Sequence, residues 1–243
     1  MNIKVIACEI ARKELDVLVG LPGKNKIAVC YMPRELHMYG KERMAADIQK
    51  EIDKTDPDEF DAVALVYGLC NYGIVTLNGT MPIIIPRAHD CITLFMGSKE
   101  RYSEYNQNNP GTYFVAGAFG MALEGEGEKG SLDYTKVAQQ VRQEFVEKYG
   151  EENADYLMEE LGDPLKNYCR ITFINSGLGD LYGMKAQAKE AAASRNWLYE
   201  EYSGNLSLIE KMLDGDWNEA DFLVLKPGEK IAPSYDNDII VAI

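Results

Sequence analysis

The string Asp61-Ala-Val-Ala-Leu-Val-Tyr67 is apolar or aromatic at every position after its first, and it stops at Gly68. A strand with one wet face alternates apolar and polar residues. This one must be covered on both faces, as in the middle of a parallel sheet. Runs of similar length recur at residues 3–8, 26–31, 81–85 (closed by Pro86), 113–116, 170–175, 197–202 and 221–225.

Between them lie segments of helical period. Residues 42–53 carry Met44, Ala45 and Ile48 on one side, and 92–106, 134–148, 153–161, 183–195 and 205–213 follow, the last capped by Asn205 or Ser203. Strand–helix alternation of this kind predicts an α/β fold. Its sheet should be predominantly parallel and flanked by helices, Rossmann-like or flavodoxin-like, with room for two similar halves around a cleft. No Pro/Ser-rich or low-complexity stretch divides the 243 residues, so one domain over 1–243 is expected, with an acidic helical excursion around 124–165.

The net charge of −14, from 25 basic and 39 acidic residues, narrows the partners. So negative a surface repels phosphate backbones and anionic lipid, which speaks against nucleic acid and membrane. The acidic runs at 124–128 and 144–160 read as solvated faces. The opening Met-Asn-Ile-Lys-Val-Ile-Ala-Cys reads as a strand rather than an export signal, and no apolar run approaches the roughly 20 residues that span a bilayer. A cytoplasmic location is expected. Five cysteines, an odd number, then argue for free thiols or metal ligands over a disulfide framework.

In open α/β sheets the reactive crevice lies beyond the carboxyl ends of the strands. Cys8 ends the first expected strand, and His37 follows the second. Cys70 follows the third, in Tyr67-Gly68-Leu69-Cys70-Asn71. His89 and Cys91 follow the fourth, in Pro86-Arg87-Ala88-His89-Asp90-Cys91. Thiolate and imidazole are the donors zinc prefers. Cys70, His89 and Cys91 are therefore the expected ligands, with Cys8, water or a substrate thiol in the fourth position. Asp90 would orient an imidazole, Arg87 would bind an anion or carboxylate, and Glu9 would accept a proton.

Tyr67, Gly68 and Asn71 would line the place where a cofactor or substrate docks. Glycines at 68 and 73 allow a ligand close to the backbone, although ordinary turns use them too. A zinc-bound thiol is deprotonated at neutral pH and becomes a nucleophile for alkyl transfer. Core packing competes with this reading: Cys8 suits either role, Cys30 and Cys169 read as core residues, and His37 suits a surface or capping role equally. Ile174-Asn175-Ser176-Gly177-Leu178-Gly179 lacks the full dinucleotide fingerprint, and no nucleotide is inferred from it.

The segments Tyr67-Gly68-Leu69-Cys70 and Arg87-Ala88-His89-Asp90-Cys91, with Cys8-Glu9, Leu36-His37 and Gly97-Ser98, resemble domain of unknown function family 1638. Members of that family turn up in anaerobic bacteria and methanogens, often beside or fused to corrinoid methyl-transfer proteins. The resemblance therefore implies methyl or thiol transfer in one-carbon metabolism, with a small-molecule substrate or a corrinoid protein as partner. This chain has Gly117-Ala118-Phe119-Gly120 where the family usually shows a Gly-Trp step. The His-x-Cys pair with a distant Cys is also similar to the zinc set of corrinoid-dependent thiol methyltransferases, a chemical analogy only. Two rival readings stand beside the enzyme. One is a non-enzymatic corrinoid or metal accessory, or a docking protein for a methyltransferase. The other is a thiol redox protein in which Cys70 and Cys91 form a disulfide.

Overall fold

In the computed structural model, which describes residues 1–38, 40–117, 135–162 and 165–243, β3 (Ala62–Val66) is buried at every position. It is the middle strand of a five-stranded sheet. Its parallel neighbours are β1 (Asn2–Cys8) and β4 (Ile83–Pro86). β2 (Lys26–Met32) lies outside β1, and β8 (Phe222–Leu225) closes the far edge antiparallel to β4. The order β2-β1-β3-β4 is that of flavodoxin-like sheets, in which the topological switch point falls between β1 and β3.

A second sheet is parallel throughout, in the order β5 (Thr112–Val115), β6 (Arg170–Asn175) and β7 (Leu198–Ser203). The expected α/β class with largely parallel pairing is thus the observed one. The strands divide between two sheets, and a terminal antiparallel pair, β9 (Ile231–Pro233) and β10 (Ile240–Ala242), lay beyond the strands read from the sequence.

Helices form where apolar residues recur at helical spacing. In α2 (Gly40–Asp53), Met44, Ile48 and Ile52 are buried in one row. In α7 (Met184–Ser194), Ala188, Ala191 and Ala192 form a small-residue stripe that lets the helix lie close to Ile171 and Phe173 of β6. In α8 (Ser207–Asp214), Leu208, Ile209, Met212 and Leu213 are buried. Asn205 accepts the Ser207 amide at 3.1 Å, so it acts just ahead of that helix.

The helix expected over 92–106 is two helices, α3 (Cys91–Met96) and α4 (Lys99–Asn108). Gly97 interrupts them at φ 88°, a left-handed conformation that favours glycine, and Ser98 caps the second helix through the Arg101 amide at 3.2 Å. The acidic excursion contains α5 (Thr135–Tyr149) and α6 (Glu151–Leu161), which pack on one another and are tied by an Arg142–Asp155 ion pair of 2.8 Å. Its acidic residues from Glu144 to Glu160 are exposed, as a solvated face requires. The 124–128 run and the Ala118-Phe119-Gly120 step lie outside the described residues. No helix among the described residues is long and apolar enough to cross a membrane.

The two parallel sheets meet along their carboxyl ends. A Cβ on Gly204, just past β7, would stand 2.1 Å from the Phe95 carbonyl in α3, and the Asn205 amide donates to that carbonyl at 3.0 Å. A Cβ on Gly117, past β5, would stand 2.4 Å from the carbonyl of Ile10 in the turn after β1.

Helix α1 (Arg12–Val19) makes a further bridge between them. Its Lys13 amide donates to the Tyr182 hydroxyl at 3.0 Å, and that hydroxyl donates to Glu14 at 3.2 Å. Glu14 is only 3% exposed. Burial raises its carboxyl pKa, against the opposing hydrogen bonds from its own amide and Tyr182. A raised folded-state value contributes stability that is complete below the unfolded pKa, about 4.3, and is lost as pH rises through the folded value. Glu14→Gln, which cannot ionise, should melt with the wild type near pH 4 and above it near pH 7. Thermal melts at both pH values check this, and a constant offset between the two proteins would contradict it.

Candidate functional site

Three thiols come together at the β1/β3 switch point. Cys8 is the last residue of β1. Ala7 pairs with Val66, so Cys8 and Tyr67 are the next residues along their two strands. Cys70 follows in a turn that lies against the loop after β4: the Leu69 amide donates to the Ala88 carbonyl at 2.7 Å, and the Cys70 amide to the His89 carbonyl at 3.0 Å. Cys91 is the first residue of α3. Cys8, Cys70 and Cys91 are 2%, 5% and 6% exposed, so the group is closed off from water.

The turn that carries Cys70 is unusual. Cys70, Asn71 and Tyr72 have φ of 44°, 58° and 65°, three successive non-glycine residues in the left-handed region. Each costs about 1–2 kcal/mol, and such strain persists where the surrounding structure enforces it. Here the enforcing contacts are the two hydrogen bonds from the Leu69 and Cys70 amides to the loop after β4, and the close approach of Gly73, whose Cβ would meet Met44 of α2 at 2.2 Å. Asn71 and Tyr72 stand exposed over the buried Cys70.

Electrostatics couple the thiols. Burial is the main cause that pushes Cys70 up, followed by the Asp90 carboxylate and then Cys8; the Gly68 and Cys91 amides, which donate toward its sulfur, oppose it. Cys91 is likewise pushed well up by burial and then by Cys70, Asp90 and Cys8. Ionising one thiol therefore disfavours ionising the next, and as neutral groups they are poor nucleophiles.

The imidazole beside them is His37, on the short helical turn Arg34–Met38 after β2. Its Nε2 is 3.8 Å from Cys8 Sγ, and burial holds its pKa below the ordinary value, so the ring is neutral at neutral pH. Each of the four parallel strands of the first sheet thus delivers one thiol or imidazole of this cluster at or beyond its carboxyl end. Among the described residues no three His, Cys, Asp or Glu side chains converge on one point as an ion would require. Coordination therefore needs these side chains to rotate toward a common centre.

The other residues singled out from the sequence fall around this cluster. His89 is exposed, its ring 6.2 Å from that of Tyr102. Asp90 is the N-cap of α3: one oxygen accepts the Ile92 and Thr93 amides at 3.0 and 3.3 Å, and the other accepts the Tyr102 hydroxyl at 2.8 Å. It shapes the helix start that presents Cys91. Arg87 donates to three backbone carbonyls, of Glu219, Asp238 and Ile240, and so straps the C-terminal segment to β4. Glu9 pairs with Arg12 at 2.7 Å. Cys30 lies in β2 with its sulfur 3.6 Å from Glu51. Cys169, expected in the core, is exposed ahead of β6.

Tyr67 is 1% exposed, and its hydroxyl has no hydrogen-bond partner. Its phenol lies within electrostatic reach of Cys8, Cys70, Cys30 and Cys91. Thr93 Oγ1, one residue beyond Ile92 in α3, is also buried without a partner.

Over residues 31–213 the chain matches the family described as protein of unknown function DUF1638. It belongs to that family. His37, Tyr67, Cys70, His89 and Cys91 lie inside the matched region of the DUF1638 chain, and Cys8 lies ahead of it. No curated protein and no solved structure matches it.

Proposed function

We propose that this DUF1638 protein binds a thiophilic metal ion, zinc by preference, through Cys8, Cys70 and Cys91, with His37 as the fourth donor. The carrying observation is the gathering of three buried thiols from three separate strand ends beside a neutral imidazole. Reactive redox thiols have a lowered pKa and an electropositive setting. Here burial raises Cys70 and Cys91, with Asp90 and the neighbouring thiols adding to it, which argues against a reactive thiolate in the metal-free protein. A bound cation would offset that cost and hold the sulfurs deprotonated. Zinc, when bound, would hold the sulfurs as thiolates and could activate an added thiol as a nucleophile.

His37 is half-buried on a single helical turn, which makes it the donor a substrate thiol would displace. Corrinoid-linked methyl or thiol transfer is the reaction class we attach to the site, on the family resemblance. Asp90 and Gly68 would act through position, by holding the Cys70 and Cys91 loops together.

Elemental analysis of protein purified without oxygen and without a histidine tag tests the reading. About one zinc per chain is expected in the wild type, with almost none in Cys91→Ala. Absence of metal from the wild type after reconstitution with zinc, iron and cobalt would sink the proposal and leave the thiol-redox or docking reading.

A further inference from the structure

Tyr67 carries a polar atom that the fold buries and does not use. Its hydroxyl is without a partner, and the residue is 1% exposed. Cys8 is its neighbour across the β1–β3 pairing, and Cys8, Cys70, Cys30 and Cys91 act on the phenol electrostatically. Folded chains rarely leave a buried hydroxyl unpaired, because its hydration is lost with nothing in return. A core position of this size would be filled more favourably by Phe unless some state of the protein used the oxygen. A protonated thiol is a poor acceptor, whereas a metal-bound thiolate carries charge and accepts strongly. A phenol holds its proton at neutral pH and has one to donate.

We infer that Tyr67 Oη donates a hydrogen bond to a sulfur ligand of the bound metal, which makes Tyr67 a positioning residue of the site. The inference rests on the thiol-site reading above. It predicts opposite effects of one substitution on two states. Without metal, Tyr67→Phe removes an unpaired hydroxyl and should leave the melting temperature unchanged or raised. With metal, it removes a donor to a charged sulfur and should weaken binding about tenfold to a hundredfold. A merely structural role would lower the stability of the metal-free protein.

The experiment is an anaerobic titration of the full chain with cobalt(II), followed by optical absorption, beside melting curves of the metal-free proteins. Both proteins should saturate at equal stoichiometry with a thiolate-to-cobalt charge-transfer band. In Tyr67→Phe that band should be displaced, since the sulfur loses its donor, and the affinity should be lower. Equal affinity and an identical band would overturn the inference alone, as would a metal-free variant that melts well below the wild type. A wild type with no thiolate-to-cobalt band would overturn the thiol-site reading and this inference with it.

Discussion

His37→Ala is expected to lose its zinc during dialysis against a chelator, while His89→Ala keeps a wild-type complement. The chain has two histidines, and they differ in every respect that matters to a metal. The His37 ring is half-buried, kept neutral by desolvation, and 3.8 Å from Cys8 Sγ. The His89 ring is exposed and lies against Tyr102. Zinc takes neutral imidazole, so a ring whose protonation burial disfavours meets weaker competition from protons. Loss of a ligand should cost more than the roughly 10–100-fold that loss of an outer partner costs. Competition with a chromophoric chelator would measure it. The reverse outcome, zinc lost in His89→Ala and kept in His37→Ala, would restore the ligand set Cys70, His89 and Cys91 and displace His37 from the site.

That contrast shows where the sequence could and could not be read. The burial of β3 follows directly from an apolar string with no alternation, and the placement of Cys8, His37, Cys70 and Cys91 at or beyond strand ends follows from the strands themselves. Which imidazole turns toward the thiols does not follow. His89 is two residues from Cys91, but Asp90 between them caps α3, and the chain turns there so that the thiol goes inward and the ring outward. His37 is 29 residues from Cys8 and reaches it only because β2 pairs beside β1. Sequence proximity does not decide which ring lies beside the thiols when a helix cap intervenes.

Other parts were hidden for similar reasons. Arg87 looks like an anion-binding residue beside a histidine, yet its carbonyl partners come from residues more than a hundred positions downstream. The antiparallel setting of β8 depends on that same C-terminal return, which no local pattern encodes. Tyr67 reads from the sequence as a strand-end residue lining the docking place, but nothing in the sequence shows that its hydroxyl is buried without a partner. The left-handed turn at Cys70, Asn71 and Tyr72 has no glycine signal at those positions, because tertiary contacts impose it.

Gly68→Ala is expected to damage fold and site together, and it tests whether the loops after β3 and β4 act as one unit. A Cβ at Gly68 would stand 2.7 Å from both the Cα and the amide nitrogen of Asp90. Backbone atoms cannot rotate away as a side chain does, so one loop must move. Leu69 and Cys70, the residues after Gly68, donate to the 88–89 carbonyls, so a shift there strains both bonds. Overpacking commonly costs about 1–3 kcal/mol, and a clash with backbone on both sides belongs at the upper end. In a chain of this size that lowers the melting temperature by roughly 6–12 °C. Zinc retention should fall as well, because the same loops bring Cys70 and Cys91 within electrostatic reach of one another. Gly73→Ala is the comparison: its Cβ would press on the buried Met44 side chain rather than on the backbone after β4, so it should cost stability without pushing the two loops apart. If Gly68→Ala melts with the wild type and keeps its metal, the two loops move independently, and the thiol site does not depend on their close approach.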